Sequence, residues 1–153
     1  MTTLVKRTTL IISNMERSIS FYRDVLQMSV WYDDNIVLSG TGLAAGAKGD
    51  QTHLVIMKAA DPIVGMVGLL EFTEPRMPDQ PQRKRLSIGD IIFVMQGEDV
   101  QGVYERALAF GTRIYAAPHA YSVRGANGQQ ISMTSLSLWD PDDYFLEFNQ
   151  RHV

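Results

Sequence analysis

Phe21-Tyr22-Arg23-Asp24-Val25-Leu26 returns, loosely, as Val103-Tyr104-Glu105-Arg106-Ala107-Leu108, and Leu70-Glu71-Phe72 returns as Leu146-Glu147-Phe148. The order is the same in both halves, a helical pattern first and a strand-like one about 45 residues later, which is how an internal duplication shows itself in a sequence. Working outward, Ser13-Asn14-Met15-Glu16 reads as a capping box in which Ser13 caps the helix and Glu16 reaches back to a free backbone donor. The apolar stripe that follows is Met15, Ile19, Tyr22, Val25 and Leu26. The second helix is expected to begin near Glu98-Asp99, to carry Val100, Val103, Tyr104, Ala107 and Leu108 on one face, and to stop at Gly111.

A β-branched run precedes each helix, Thr8 to Ile12 and Ile91 to Met95, and three further segments of strand character follow each. The pattern is βαβββ, twice, and the expected class is α+β. Between the halves, Thr73 to Arg85 is polar and proline-rich, unsuited to a packed element. Module one is therefore placed at about residues 5–75, a linker at about 76–87 and module two at about 88–150, within a single domain of residues 1–153. The glycine-rich stretch from Gly40 to Gly49 lacks the Lys-Ser/Thr ending and following helix of a phosphate-binding loop, so it reads as a hairpin connection, as does Arg124 to Gly128.

Composition narrows the functional classes. With 153 residues and 45% hydrophobic content the chain has enough apolar material for a proper core. A net charge of -3, with basic residues scattered except for Arg83-Lys84-Arg85, gives no general attraction to nucleic acid. There is no cysteine, which excludes disulfides, thiolate metal sites and cysteine nucleophiles and suits a reducing cytoplasm. No stretch approaches the roughly 18 apolar residues of a membrane span, and the amino terminus has no apolar signal core. The expectation is a cytoplasmic protein with neither membrane nor nucleic acid as partner.

Strand alternation sorts side chains by face. If Leu10 and Ile12 pack on the first helix, Arg7, Thr9 and Ile11 face away; if Leu70 and Phe72 pack inward, Leu69, Glu71 and Thr73 face away. In the second half Asp90, Ile92 and Val94, with Phe145, Glu147 and Asn149, take the same side. A solvated sheet face is one reading. The other is a binding cleft, because Leu69, Ile92, Val94 and Phe145 share that side with a few polar groups.

Asn14-Met15-Glu16-Arg17-Ser18-Ile19-Ser20-Phe21-Tyr22-Arg23-Asp24-Val25-Leu26 resembles the Asp-Leu-Glu-x-Ser-x-x-Phe-Tyr-x-x-x-Leu-Gly helix of the vicinal oxygen chelate superfamily, the group of glyoxalases, bleomycin-resistance proteins and extradiol dioxygenases. Asp140-Pro141-Asp142-Asp143-Tyr144-Phe145-Leu146-Glu147 resembles the closing Asp-Pro-Asp-Gly-Asn-x-x-Glu signature of the same proteins. The resemblance implies two tandem modules forming a curved mixed sheet around a central cup. Four inward positions, which can ligate a divalent ion in that family, fall on Arg7, Glu71, Asp90 and Glu147. Glyoxalase-active relatives offer His or Gln, Glu, His or Gln, and Glu there. Here arginine, which has no lone pair to donate, takes one corner, so the metal-free state is favoured and no cofactor is assigned. If a cation does enter, Glu71, Asp90 and Glu147 are its ligands, and an all-oxygen set favours magnesium, manganese or calcium over zinc, nickel or iron. On this reading Arg7→His restores a neutral donor and recruits zinc or nickel. Ring cleavage is not expected, because neither family histidine position is kept.

None of the three histidines has metal-motif spacing; His119 is expected in a loop after Pro118, His152 near the terminus, and His53 on a strand where it can line the cup. Trp31, Tyr32 and Phe145 suit either an apolar wall or core packing, and Trp139 is expected in the core. Two functions are weighed. One is a glyoxalase-like lyase or isomerase acting on a small carbonyl or carboxylate compound, with Glu147 or Glu71 transferring a proton and Arg7 stabilising the developing negative charge, while Thr9, Trp31, His53, Asp90, Phe145 and Asn149 bind substrate. The alternative is a non-catalytic small-molecule binding protein resembling the bleomycin-resistance proteins. A structural ion-pair network around Arg7 is the third possibility. Family resemblance also implies a homodimer.

Overall fold

The computed structural model describes residues 2–152. The chain divides into two compact units, Met1–Pro81 and Gln82–Val153, with the boundary inside the expected linker. Each unit has its own four-stranded mixed sheet, and together they give the α+β pattern of two βαβββ modules, with neither sheet closed into a barrel.

Unit one runs β1 (Arg7–Ile12), α1 (Met15–Ser20), β2 (Ser29–Val37), β3 (Gln51–Lys58) and β4 (Met66–Glu74), in the sheet order β1-β4-β3-β2. Only β1 and β4 pair in parallel. The cap of α1 differs from the expected one: Asn14, not Ser13, has the extended backbone of an N-cap, and its Oδ1 accepts from the Arg17 N–H at 2.9 Å. Ser13 Oγ accepts instead from the Arg17 guanidinium. Asn14 wins because its carbonyl oxygen reaches the donor three residues on. From Phe21 to Val25 the helix widens into a π-helical turn. That widening turns Phe21 inward beside Tyr22 and Val25, all three fully buried, while Ile19 of the expected stripe is only half-buried. Beneath them lie Leu10, Val55, Met57 and Leu69, also fully buried. Each such side chain contributes on the order of 1.5–3 kcal/mol by leaving water. The Gly40 to Gly49 stretch is a hairpin connection from β2 to β3, tightened by Asp50 Oδ2 accepting from the Ala47 N–H. At Gly46 a Cβ would stand 2.6 Å from the Phe72 ring, so only glycine lets this loop lie on that side chain.

Unit two runs β5 (Ile92–Gln96), α2 (Val100–Phe110), β6 (Ile114–Arg124), β7 (Gln130–Trp139) and β8 (Phe145–Arg151), ordered β5-β8-β7-β6. Asp99 caps α2 through the Gly102 N–H at 2.8 Å, and Gly111 ends it at φ 83°, a left-handed stop that suits glycine. Val100, Val103 and Ala107 are buried, but Leu108 of the expected stripe is exposed. β5 begins one residue later than expected, which leaves Ile91 and Asp90 ahead of the strand. His119 lies in β6 and not in a loop; β6 is an edge strand, and its pairing with β7 is irregular between Ala116 and His119, where Pro118 has no N–H to give. The closing signature is a turn: Asp140 Oδ1 accepts from the N–H groups of Asp142 at 2.8 Å and Tyr144 at 2.9 Å. No helix among the described residues is long and apolar enough to cross a membrane.

Candidate functional site

The two units repeat their topology but not their faces. In unit two, β5 pairs Ile92 with Phe145, Val94 with Glu147 and Gln96 with Asn149. Gln150 Oε1 accepts from the Val100 N–H at the start of α2, so the even-numbered residues of β8 face the helix. Phe145, Glu147 and Asn149 therefore face away from it, as expected. Across the sheet, Trp139, Ser137 and Ser135 stand opposite Phe145, Glu147 and Asn149 in that order.

At one end of this face the Phe145 ring meets Trp139 edge-on, centroids 4.9 Å apart, and Tyr115 at 5.5 Å. Arg113 stacks on Trp139 at 4.5 Å and pairs with Asp143 at 2.6 Å. Phe145 and Trp139 are buried, so they are core and wall at once. At the other end, Asn149 Oδ1 is buried with no hydrogen-bond partner. Between the two lies Glu147, half-buried, whose carboxylate has neither a hydrogen bond nor an ion pair to any described residue. Ser135 and Ser137, both buried beside it, were not singled out from the sequence. Their signal is the alternation Ser135, Leu136, Ser137, Leu138 on a strand.

Unit one departs from the expected arrangement. In the β1–β4 pair, Leu10 lies beside Leu69 and Ile12 beside Glu71. Arg7 and Thr9 are on the other face, where both would crowd a Cβ at Gly68. Glu71 thus shares the α1 face with Leu10 and Ile12, and the expectation that it stands with Arg7 and Thr9 is corrected. The cause is register, because a one-residue offset in pairing exchanges the faces of a strand. Glu71 is nearly buried; its Oε2 accepts from the Met15 N–H at 3.3 Å and its Oε1 lies 3.5 Å from the Arg76 guanidinium. Arg7 is exposed and donates to Thr9 Oγ1 at 3.1 Å, with no ion pair to a described carboxylate, so the structural ion-pair network weighed as a third possibility does not form around it among the described residues.

Also on the α1 face, His53 Nε2 meets Asp33 Oδ1 at 2.6 Å. A cleft of about 560 Å³ opens there between α1 and the ends of β3 and β4, lined by Asn14, Glu16, Ile19, Arg23, His53 and Glu71 among others. Arg23 is held by Asp24, whose carboxyl falls below its ordinary range mainly through the hydrogen bond from that guanidinium. Trp31 stands exposed at an irregularity in the edge strand β2, in neither a core nor a closed wall within its unit.

The fourth expected ligand, Asp90, is tied into a local turn. Its Oδ2 accepts from the Ser87 N–H at 2.8 Å, and Oδ1 pairs with Arg83. A divalent ion does not fit this set: Arg7 and Glu71 leave opposite faces of one sheet, and the Glu71 and Asp90 carboxylates are each engaged by an arginine and a backbone N–H. Among the described residues no three His, Asp or Glu side chains gather as a metal ion requires.

The chain belongs to the Glyoxalase/Bleomycin resistance protein/Dioxygenase superfamily, whose family model matches residues 4–148. No curated protein matches it. Among solved structures, a glyoxalase family protein from Bacillus cereus is similar at a TM-score of 0.76 and 13% identity, covering 97% of this chain and 94% of its own. The trypanothione-dependent glyoxalase I of Leishmania major is similar at 0.62 and 15% identity, covering 97% and 87%. A glyoxalase I variant from Zea mays gives 0.66 at 16% identity, with 97% of this chain against 45% of that one. At such identities the likeness is one of fold.

Proposed function

We propose that this protein is a glyoxalase-like enzyme that moves a proton on a small carbonyl or carboxylate compound, with Glu147 as the base. The observation that carries the reading is the Glu147 carboxylate itself, half-buried and unpartnered between an aromatic wall and the polar group of Asn149 and Ser137. A base must be free of internal partners and within reach of the proton it takes. In the proposed step Glu147 takes the proton from the hydroxyl-bearing carbon next to the substrate carbonyl; the C–H electron pair becomes the C=C bond of the enediolate as the carbonyl π pair moves to oxygen, where the negative charge collects. The Ser137 hydroxyl and the Asn149 amide N–H are the donors on this face for that oxygen. The hydroxyl proton passes to the charged oxygen, and return of the first proton from Glu147 to the former carbonyl carbon completes a redox-neutral isomerisation. No metal is assigned a role. Small size and an apolar side suit the substrate to Phe145 and Trp139.

A second reading is favoured by Asn149 Oδ1, a buried acceptor lacking a donor, since a ligand could satisfy it without any reaction. That is a sequestering protein of the bleomycin-resistance kind. The experiment is proton–deuterium exchange at carbon in a panel of small α-hydroxy and α-keto compounds, followed by NMR, with melting temperature as a parallel measure of binding. The enzyme reading expects exchange that falls by about a hundredfold or more in Glu147→Gln. Ligand-induced stabilisation without exchange in the unaltered protein would leave the binding reading. The net charge of -3 supports the further proposal that nucleic acid is not a partner, and the lack of cysteine supports a cytoplasmic setting.

A further inference from the structure

We infer that the substrate of the Glu147 face carries an anionic group, a carboxylate or a phosphate, a few carbons from its carbonyl, and that Arg151 receives it. The inference rests on the proposed Glu147 chemistry and names the class of compound on which it acts, an anionic α-hydroxy ketone. Four side chains of β8 point away from α2 in the order Phe145, Glu147, Asn149 and Arg151, since Gln150 between the last two reaches the helix. An apolar ring, a carboxylate, an amide and a guanidinium thus follow one another along one strand. Successive members stand about 6.6 Å apart at Cα, which puts Glu147 about 13 Å from Arg151. No ion pair joins those two. Side chains lean along a strand, so the gap between the two charged ends is one that a short carbon chain can bridge.

A permanent charge decides the class, because a guanidinium stays protonated in a protein whatever surrounds it. Arg151 is exposed, and its side chain has neither a hydrogen bond nor an ion pair to a described residue. Its partner across the sheet is Met133, and that of Asn149 is Ser135, so neither pair offers it a carboxylate. The other cation beside this face, Arg113, is held by Asp143 and stacked on Trp139 at the opposite, aromatic end. Asn149 supplies a second, independent sign of a ligand: the buried end of its amide has no partner. Turned either way, that amide is satisfied by a hydroxyl, which both donates and accepts. The substrate's own hydroxyl, on the carbon that gives its proton to Glu147, meets the need. A cationic tail would meet like charge at Arg151, and a neutral tail would leave the guanidinium without a counter-charge.

The test uses 5-hydroxy-4-oxohexanoate, its uncharged amide, and 3-hydroxy-2-oxobutyl phosphate, which share a methyl end for Phe145 and a C–H beside a hydroxyl and a carbonyl. Proton–deuterium exchange at that carbon is followed by NMR in the unaltered chain, Arg151→Gln and Arg151→Lys. Calorimetry measures binding of the same compounds to Glu147→Gln, which holds them without the base, and to Glu147→Gln combined with Arg151→Gln. The better charged compound is expected to exceed the amide about tenfold in kcat/KM, through KM, because the contact is made equally before and during proton transfer. Arg151→Gln should abolish that preference, Arg151→Lys should keep part of it, and added salt should shrink it. The carboxylate and phosphate arms distinguish the two anions. Circular dichroism of each variant verifies folding. Equal treatment of charged compounds and amide, or a preference for anions that survives Arg151→Gln, would overturn the inference and leave Glu147 as the base. Exchange absent from the unaltered chain, with Arg151-dependent binding of the anions intact, would overturn the proposed chemistry and leave the anion site standing. Absence of both exchange and binding at about 10 mM, weaker than such contacts imply, would overturn both.

Discussion

Ile12 and Glu71 are partners in the parallel pair of β1 and β4, so the Glu71 carboxylate stands on the side of α1. The corresponding carboxylate of the second repeat, Glu147, is paired with Val94 and stands on the side away from α2. Two copies of Leu-Glu-Phe thus present their glutamates to opposite environments. One becomes a nearly buried partner of a helix N–H and an arginine, the other a free carboxylate on an open face. Duplication of sequence has preserved the fold without preserving a symmetric site.

Arg7→His tests that asymmetry. Were residues 7 and 71 to share a face, the substitution would complete two corners of a metal site. Because they do not, the variant is expected to bind no more zinc or nickel than the unaltered chain, a reversal of the expectation drawn from the ligand pattern alone. Elemental analysis after equilibration with each ion and gel filtration is the check; one equivalent retained by the variant, and lost again with Glu71→Gln, would show the two side chains converging.

Asp140 is predicted to matter for stability more than for chemistry. It is almost fully buried, and one of its oxygens accepts from two backbone N–H groups that close the turn into β8. Asp140→Ala leaves both donors without their acceptor and should cost about 2–4 kcal/mol in urea unfolding. A loss below about 0.5 kcal/mol, the ordinary scatter of surface changes, would mean that the turn is held by other contacts.

The fold was largely legible from the sequence, and the strand faces only in its second half. Helical stripes and strand runs depend on local periodicity, which is why both βαβββ patterns could be placed. Register is not local: whether Glu71 or Leu70 faces α1 depends on how β4 slides along β1, and Leu69, Leu70 and Phe72 are all buried, so hydrophobic alternation could not choose. Where β8 alternates Leu146 and Phe148 with Glu147 and Asn149, polarity did choose, and the faces came out as read. Asp33 escaped notice because its meaning lies wholly in its contact with His53, across two strands. Asp90 looked like a ligand because its neighbour Arg83 is distant enough in sequence to hide their pairing.

Association into a closed homodimer is a separate proposal. Unit two leaves Ile92 and Val94 exposed on the edge strand β5, with Ile91 exposed just ahead of it. Sedimentation equilibrium at micromolar concentration should give twice the chain mass, and Val94→Lys should shift it toward the single chain. A single-chain mass for the unaltered protein across that range would refute the dimer.

Phe145 is the residue at which core and site meet, and its variants should separate the two roles. Its ring is buried and makes edge contacts with both Trp139 and Tyr115. Truncation in Phe145→Ala should cost about 3–5 kcal/mol, the usual range for a buried phenylalanine. Phe145→Leu keeps most of the volume and loses the two ring contacts, so a smaller cost of about 1–3 kcal/mol is expected. Tyr115→Leu, which removes one of those contacts from an exposed position, should cost less than either. If the ring serves only the core, ligand-induced stabilisation in Phe145→Leu will match that of the unaltered protein once the lower baseline is allowed for. If it also forms the wall beside Glu147, that stabilisation falls while far-UV dichroism stays the same, and proton exchange at carbon falls with it. Thermal melts with and without the best ligand from the carbonyl panel, run on all three variants, decide between these outcomes.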